Sequence, residues 1–429
     1  MSSAVLTSGL PGLLAGLDPL FFNGVTLEVF IIVIVKVIIS FILLLVSVLL
    51  MVWFERKVVS DMQNRIGPNR AGPWGILQTL ADGIKLFFKE DLQPESSDSF
   101  VFKLAPYLSL IPAFLTFAII PIGGNFKDKD GIITLPGWLG GESTYVQLAD
   151  PPVGILLFLA MSSIAVYGVM LAGWSSGSKY PLLGSVRASA QMVSYEAALG
   201  LSLATIFLQS RSLSTHDIVL DQAGEGWLGI IPHWNVIVTG FVPFVVFLIA
   251  ATAELNRPPF DLVEAEQEIV GGYHTEYSSI RFAMFFLAEF MNVVTLSAIM
   301  VTLFFGGPSG PILWDTIDWF WPILWFFLKL IVFLFSFVWF RSTLPRFRYD
   351  QLMDLGWKVL IPISLGWFLF LAARNIVDDR WPTGAGDLFS VEIIILLVIT
   401  IAIFATAAML LYSAMRSAAK KREMDEVRF

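Results

Sequence analysis

Long runs of apolar residues constrain the fold of this chain more than any other feature. A helix needs about 20 consecutive apolar residues to cross the roughly 30 Å hydrocarbon core of a bilayer. Nine runs of about this length occur, at 29–54, 104–122, 152–174, 188–208, 234–253, 282–305, 319–340, 356–373 and 388–412. We therefore predict an all-α integral membrane protein, one polytopic domain with about nine transmembrane helices.

The basic residues lie mostly in the loops of one side, which sets the predicted orientation. Alternate loops on one side of nine spans carry 20 Lys and Arg residues, whereas those on the other side carry 5. Positively charged loops mark the cytoplasmic side, so we predict that segment 1–28 lies outside the cell and the C-terminal tail inside. Segment 1–28 has no Lys or Arg and so lacks the basic start of a cleaved signal peptide. The first run is therefore predicted to be a retained helix.

Several classes of redox site are excluded or disfavoured by the composition. The chain has no cysteine, which excludes disulfides, thiolate-bound iron–sulfur clusters and a cysteine nucleophile. Its three histidines, His216, His233 and His274, lie outside the apolar runs, so a haem held between membrane helices is not expected. The glycine-rich stretch 306–310 is typical of a turn rather than of a phosphate-binding loop. We expect no bound cofactor and no metal site here, so any electron carriers belong to other chains.

Ionisable residues within the predicted spans are functional candidates, because charge there is costly and usually serves a function; we single out Lys36, Glu196, Glu289 and Lys329. Glu196 and Glu289 lie about 12 Å and about 10 Å into the fourth and sixth spans. Both are candidates for proton transfer, and the alternative is a structural hydrogen bond between helices. Lys36 is close enough to the outer end of its span to reach the interface. Lys329, nearer the middle, fits a proton path or a structural role equally well.

The loop 254–281 is unusually acidic for the side that is otherwise basic. Its six acids are Glu254, Asp261, Glu264, Glu266, Glu268 and Glu276, and its two arginines are Arg257 and Arg281. A short helix after Pro258 and Pro259 would place several of these carboxylates on one face. Crowded carboxylates cannot all ionise, so some are expected to hold protons. The alternative is a solvated acidic surface, although apolar residues between the acids favour packing.

Segment 76–89, after the first span, has the pattern of an amphipathic helix. Its apolar residues recur at helical spacing, and its polar residues gather toward the other side. We predict that this helix lies on the membrane surface. An ordinary packed helix is the alternative.

Six motifs on the predicted cytoplasmic side resemble those of a known family, the quinone-site membrane subunit (the H-type subunit) of proton-pumping NADH:quinone oxidoreductase, respiratory complex I. The motifs are 55–57 with 63–73 (ERK and QNRIGPNRAGP), 81–90 (ADGIKLFFKE), 184–187 with 190–196 (GSVR and AQMVSYE), 254–277, 287–290 (LAEF) and 341–358. They follow the family order, and the resemblance covers the chain from residue 55 to about residue 373.

The resemblance implies a membrane subunit at the junction of the hydrophilic arm and the proton-pumping membrane arm. Such a subunit forms the mouth and much of the wall of a chamber for a lipid quinone, either ubiquinone or menaquinone. FMN and iron–sulfur clusters are expected on partner subunits. Expected partners are the hydrophilic-arm subunits beside the terminal iron–sulfur cluster, neighbouring small membrane subunits, quinone and lipid, with no nucleic acid. The expected location is the bacterial cell membrane.

The resemblance also implies roles for individual residues. The quinone chamber would be shaped by Arg56, Arg65, Arg257, Asp261 and Arg341. The proton pathway would include Glu196, Glu254, Glu264, Glu266, Glu268 and Glu289. Arg187 would be either a balancing charge near this pathway or a structural cytoplasmic contact. Protonation of the acidic loop would respond to charge in the chamber, and that response would trigger pumping.

Some positions depart from the family pattern, and two other interpretations stay open. Thr79 replaces a proline common among relatives, Leu255 replaces a threonine, and Pro259 adds a second proline. Segment 374–429, an extra span and basic tail, follows the eight-span core 29–373. The chain could instead be the equivalent subunit of a ferredoxin- or F420-linked dehydrogenase or of a membrane-bound hydrogenase. A standalone ion transporter is the alternative of another class; internal symmetry of broken helices would favour it, and the sequence shows none.

Overall fold

The computed structural model describes residues 18–21, 24, 26–126, 130–135, 141–224, 233–262, 270–312 and 319–380. The chain divides into two compact units, one ending at residue 361 and the other beginning at residue 362. All contacts below lie within the first unit.

The described part of the chain is built almost entirely of helices. They are α1 (Leu27–Met62), α2 (Gln78–Phe88), α3 (Ser99–Phe117), α4 (Gly154–Ser175), α5 (Lys179–Ser210), α6 (Thr215–Gln222), α7 (Asn235–Val238), α8 (Phe241–Glu254), α9 (Ser279–Phe304), α10 (Phe320–Thr343), α11 (Tyr349–Leu355) and α12 (Ile361–Arg380). Short 3-10 turns occur at Pro19–Phe21, Pro73–Gly75 and Gly272–His274, and a π-helical turn, Gly356–Leu360, joins α11 to α12.

Seven helical segments of the described chain are long and apolar enough to cross a membrane, which confirms the all-α membrane class. They coincide with seven of the nine predicted runs, the last of them being the continuous segment Tyr349–Ile376. The run 388–412 lies outside the described residues, as does most of segment 374–429. The span count therefore stays a prediction, and so does the division into outer segment, core and extra helix.

The fifth predicted run, 234–253, is not one continuous helix. The helix is interrupted between α7 and α8 at Gly240. The φ of this glycine is +83°, which is strained for any residue with a side chain. The remaining helix α8 has 14 residues and is about 21 Å long, shorter than the hydrocarbon core. Apolar residues alone did not reveal the break, because they continue on both sides of the glycine.

Two helices extend well beyond their apolar runs. Helix α1 continues to Met62, and α5 already begins at Lys179, so the motifs at 55–57 and 184–187 are helical rather than loops. Charged residues such as glutamate, arginine and lysine form helices readily once outside hydrocarbon, which explains the extension. The helix starts are capped in the usual way: the Thr26 side chain accepts from the Val29 amide, and Asp98 accepts from the amides of Phe100 and Val101.

Helix α9 is the central element of the first unit. It packs against α1, α3 and α10, and its residues 293–304 are all buried. Helix α4 packs against both α3 and α5, and α5 in turn packs against α8. On the side of the predicted outer loops, β1 (Ile132–Thr134) pairs antiparallel with β2 (Ser143–Tyr145), with Ile133 opposite Thr144. This small hairpin was not predicted, although β-branched residues favour strands.

At Gly184, the backbone of helix α5 comes close to the backbone of the loop before α9. A Cβ atom built on Gly184 would lie 2.8 Å from the Cα atom of Gly272, which is closer than such atoms pack. Along the same helix, a Cβ atom on Gly200 would meet no heavy atom within 4 Å. The first glycine of the motif at 184–187 therefore permits a close approach of two backbones.

We expect Gly184→Ala to destabilise the protein by about 1–3 kcal/mol, because two backbones would have to move apart. Gly200→Ala should be neutral or slightly stabilising, since alanine favours a helix by about 1 kcal/mol over glycine. The measurement is the midpoint of thermal aggregation of protein purified from native membranes. Equal midpoints for the two variants would show that the approach at Gly184 is not tight.

Candidate functional site

Six charged residues from distant parts of the chain lie near the Met62 end of α1; ion pairs join four of them to one another, and a further ion pair joins the other two. The six are Glu55 on α1, Arg257 and Asp261 after α8, Glu289 on α9, Arg341 on α10, and Arg346 after α10. We call this set the arginine–carboxylate network. It joins four elements that are far apart in sequence.

Arg257 lies at the centre of the arginine–carboxylate network. Its Nη1 atom is 3.3 Å from Glu55 Oε2, and its Nη2 atom is 3.0 Å from Glu289 Oε1. The guanidinium also lies 4.4 Å from the ring centroid of Phe290. Arg257 is only 7% exposed, so its charge must be paired for the fold to tolerate it.

The outer members of the network extend it to neighbouring elements. Arg341 makes a second contact with Glu55, which therefore serves two arginines. Arg346 donates to Asp261 Oδ2 over 2.9 Å. The segment from Arg257 to Leu262 consists of turns, with the Phe260 amide donating to the Arg257 carbonyl. The helix predicted to follow Pro259 is absent over these described residues, and residues 263–269 lie outside them.

The network lines a cavity of about 610 Å³, a volume within the usual range of ligand pockets. Charged residues of its wall are Glu55, Arg56, Arg65, Arg257, Glu289 and Arg341. Apolar side chains, including Val52, Phe286 and Phe290, complete the wall. The cavity can therefore hold a molecule with a polar head and an apolar remainder.

Four of the five predicted chamber residues, all of them arginines, line this one cavity. Asp261 is not among its lining residues and instead accepts a hydrogen bond from Arg346. One of these arginines, Arg56, also donates to Asp82 of α2 over 2.6 Å. Burial raises the pKa of the Asp82 carboxyl, but the hydrogen bond and the charge of Arg56 outweigh this, and the pKa lies below its ordinary value. The pair therefore ties the surface helix to α1 at neutral pH.

Two further carboxylates are held by neighbouring serines of α4. Ser162 Oγ donates to Glu254 Oε1 on α8, and Ser163 Oγ donates to Glu196 Oε1 on α5. Adjacent residues on one helix thus connect the carboxylates of two other helices. This arrangement places Glu254 and Glu196 in one polar row inside the helix bundle.

Two small cavities join this row to the network. One of about 40 Å³ is lined by Glu254, Glu289 and Asn292, among others. The other, of about 30 Å³, is lined by Ser162, Glu254 and Asn292. Each is larger than the roughly 10–15 Å³ that one water molecule requires, and each has polar groups in its wall. The polar residues therefore form a nearly continuous series from Arg257 to Glu196.

Gln191 of α5 fixes the turn that carries Arg257. Its Nε2 atom lies 2.7 Å from the Ala253 carbonyl, 3.0 Å from the Phe260 carbonyl and 3.1 Å from Asn256 Oδ1. A glutamine amide has two N–H donors, which are shared among these three acceptors. The side chain is 1% exposed, so the turn cannot exchange this contact for water.

The remaining predicted residues have varied positions. Arg187 is half-buried on α5 and does not line the large cavity. Lys329 donates to the carbonyls of Phe305, Gly307 and Ser309 over 2.8, 2.9 and 2.7 Å, which favours its structural role over a proton path. Glu264, Glu266 and Glu268 lie outside the described residues. Burial lowers the pKa of His274 to about 4, so its imidazole adds no positive charge to the acidic loop at neutral pH.

No group of three or more His, Asp or Glu residues able to hold a metal ion occurs within the described ranges. Several members of the site were missed from the sequence: Glu55, Arg346, Ser162, Ser163 and Gln191. Ser162 and Ser163 gave the clearest available signal, because two polar residues in the middle of an apolar run usually bond across helices. Glu55 directly follows the first run, and the sequence assigns it only to the motif at 55–57.

Comparison with known proteins gives consistent matches along most of the chain. The family model described as NADH dehydrogenase matches residues 35–372. A protein of Frankia alni, named as the H-type subunit of NADH-quinone oxidoreductase, is 48% identical over 394 residues, 90% of this chain and 83% of the relative. Proteins with the same name from Streptomyces avermitilis and Cutibacterium acnes are 49% and 46% identical. These alignments cover 81% and 85% of this chain, and 74% and 82% of the relatives.

We expect Gln191→Leu to loosen the turn that carries Arg257 while leaving the helices intact. Each lost hydrogen bond is worth about 0.5–1.5 kcal/mol, so amide exchange in residues 252–262 should become about tenfold faster. Hydrogen–deuterium exchange followed by mass spectrometry measures this. The control is Ser189→Ala, which removes only a bond within α5, from Ser189 Oγ to the Ser185 carbonyl. Similar exchange in both variants would contradict the assigned role of Gln191.

Proposed function

This chain belongs to the NADH dehydrogenase family and is a membrane subunit of an NADH-quinone oxidoreductase, and we propose that its cavity is the quinone-access chamber of that complex. We further propose that its row of carboxylates begins the proton pathway that couples quinone reduction to proton translocation. The observation that supports both proposals is the position of Arg257, which faces the large cavity and also pairs with Glu289.

The chemistry of the cavity wall suits a lipid quinone. A quinone headgroup has two carbonyl oxygens that accept hydrogen bonds, and arginines supply donors in a fixed planar arrangement. The apolar wall residues suit the adjoining isoprenoid tail. Reduction adds two electrons and two protons to form the quinol. The electrons would arrive from iron–sulfur clusters and FMN on partner subunits, and the residues of this chain would bind and orient the quinone.

The arginine–carboxylate network would transmit the charge change to the membrane. Arg257 is shared by Glu55 and Glu289, so a negative charge that develops on the quinone weakens its hold on both carboxylates. Glu289 would then take up a proton more readily. Water in the two small cavities would relay protons between Glu289 and Glu254, and Ser162 and Ser163 would continue the path to Glu196. Glu264, Glu266 and Glu268 remain proposed members of the same pathway.

The orientation and partners are also part of the proposal. The charge distribution of the loops supports a cytoplasmic C-terminus and an outer N-terminus in a bacterial cell membrane.

Helix α2 exposes Phe87 and Phe88, by 70% and 86%, which suits a helix at the membrane surface. Near α2, the exposed charged loops suit contact with hydrophilic-arm subunits, and the apolar faces of α1 suit small membrane subunits and lipid. Arg187 would act as a balancing charge on this side.

The alternatives differ in what they require of the cavity. A ferredoxin- or F420-linked enzyme or a hydrogenase would not always need a quinone chamber, and a standalone transporter would need no partner subunits. The names of the relatives favour the quinone enzyme. Gentle purification from native membranes would distinguish these possibilities. A large assembly with flavin, iron–sulfur clusters and inhibitor-sensitive quinone reduction supports the proposal, whereas a flavin-free homo-oligomer contradicts it.

We expect Arg257→Lys to lower the NADH:quinone reductase rate by about tenfold or more, because a lysine cannot bond Glu55 and Glu289 in the planar geometry of arginine. Electron transfer from NADH to a water-soluble artificial acceptor should be unchanged, since it needs only the partner subunits. The matched control is Arg348→Lys, whose side chain is 82% exposed and does not line the cavity. Full quinone reductase activity in assembled Arg257→Lys complexes would contradict the chamber assignment.

We expect Glu254→Gln and Glu196→Gln each to reduce proton translocation by about tenfold or more, because glutamine cannot exchange protons with its neighbours. In a tightly coupled enzyme, quinone reduction should fall along with it. Proton uptake by vesicles containing the intact complex provides the measurement, with a pH-sensitive dye as indicator. Glu28→Gln in the exposed first turn of α1 is the control. The pathway would have to be abandoned if both variants pumped at the wild-type rate.

A further inference from the structure

Helix α1 lines a second cavity that the proposed function does not use. The arginine–carboxylate network lies at its Val52–Val59 end, whereas the second cavity is lined by α1 residues from Ile31 to Leu43. The two stretches are separated along the helix by about 13 Å. The second cavity therefore lies in the predicted outer half of the membrane, away from the quinone chamber.

The second cavity has a volume of about 490 Å³ and an almost wholly apolar wall. Opposite α1, the wall is formed by Phe117 at the end of α3, by Ile323 and Phe327 on α10, and by the hairpin strand β2. Among its few polar members are Lys36 and Thr144. A large apolar cavity of this kind does not fill stably with water and binds apolar molecules instead.

We infer that this cavity holds one acyl chain of a membrane phospholipid. A partner helix is excluded on size, because a helix with its side chains is about 10–12 Å across and cannot enter a space of this volume. A single extended acyl chain is thin enough to enter and long enough to fill it. Access is available from the bilayer, since Ile31, Val35 and Ile39 of the same α1 stretch line the cavity and are also 48%, 44% and 59% exposed.

The polar group in the cavity wall indicates how the lipid is recognised. Lys36 Nζ lies 2.7 Å from Asp18 Oδ2 and 3.0 Å from Thr144 Oγ1, and Thr144 Oγ1 donates to Asp18 Oδ2 over 2.7 Å. The charges of Lys36 and Asp18 cancel, so an anionic headgroup gains no net attraction here. An ammonium has three donors, and the described residues accept from two of them, so the third can serve an ester carbonyl of the lipid. Occupancy should therefore depend on the acyl chain and not on headgroup charge.

The bound chain would complete the packing of α1. Of the most apolar part of this helix, only 17% is buried within the protein, the lowest fraction among the seven candidate spans. An acyl chain between α1, α3 and α10 would join three helices that otherwise leave a cavity between them. This inference does not depend on the proposed function, because it rests on a separate cavity.

The test uses the intact purified complex in phosphatidylcholine vesicles. A small fraction of the phosphatidylcholine carries a photoactivatable diazirine midway along one acyl chain, and adducts are located by mass spectrometry. We expect adducts on cavity residues such as Leu43 and Phe327. Leu43→Trp fills the cavity and should reduce adducts on Phe327 about tenfold, since the loss of even two buried methylenes corresponds to such a factor.

Ile42→Trp is the matched control, because Ile42 neighbours Leu43 but is 52% exposed and does not line the cavity. In Ile42→Trp, the lipid probe should label Phe327 as it does in the wild type. Both variants should retain quinone reductase activity, which shows that they are folded. A phosphatidylglycerol probe should label as well as phosphatidylcholine. The inference is overturned if the cavity residues remain unlabelled or if the two variants are labelled equally. A third probe is a quinone with a diazirine in its isoprenoid tail. The inference is also overturned if this quinone labels the cavity residues in preference to the lipid probe.

Discussion

The pairing of Arg257 with Glu55 and Glu289 is the interaction on which the arrangement of the site depends. A guanidinium keeps its charge even when it is only 7% exposed, so burying Arg257 without opposite charges close by would strongly destabilise the fold. Because those charges come from α1 and α9, the pairing fixes both helices relative to the turn after α8. Removing one carboxylate would leave a buried charge uncompensated, so the three residues act as a unit. The same guanidinium forms part of the cavity wall, and the shape of the cavity follows from its position.

The polar groups near Arg257 differ from those further along the row toward Glu196. Near the cavity they are mostly permanent charges in close pairs, whereas further along α4 they are carboxylates bonded to serine hydroxyls. An arginine is always charged, whereas a carboxylate is a group that a proton can neutralise. Helix α5 connects the two regions, because it carries both Gln191, which holds the turn of Arg257, and Glu196 at the far end of the row. A movement of that turn would therefore reach the carboxylates through a single rigid helix.

The sequence predicted most helices but not which charged side chains pair between elements, and the reason is physical. Apolar runs mark the parts of the chain that suit the hydrocarbon core, so seven of the nine predicted spans coincide with long apolar helices of the described chain. The charged helix ends lie outside these runs, so α1 and α5 were predicted too short. Arg257 and Glu289 were each identified as candidates, yet their contact depends on how the turn after α8 lies against α9, which the sequence pattern does not reveal. The same holds for Glu55, which is 202 residues from Arg257 in sequence. For Lys329, sequence left two roles open, and only its three carbonyl acceptors favour the structural one.

Helix α1 shows how the site and the membrane are connected. Little of its apolar part is buried within the protein, so its position is fixed mainly near its ends. At one end Glu55 bonds two arginines, and at the other Lys36 bonds Asp18 and Thr144. Between these polar anchors, α1 packs against α9, α10 and α3, and an acyl chain in the second cavity would supply further packing. Because Glu55 is carried by this helix, any displacement of α1 by the surrounding lipid would alter the pairing of Arg257.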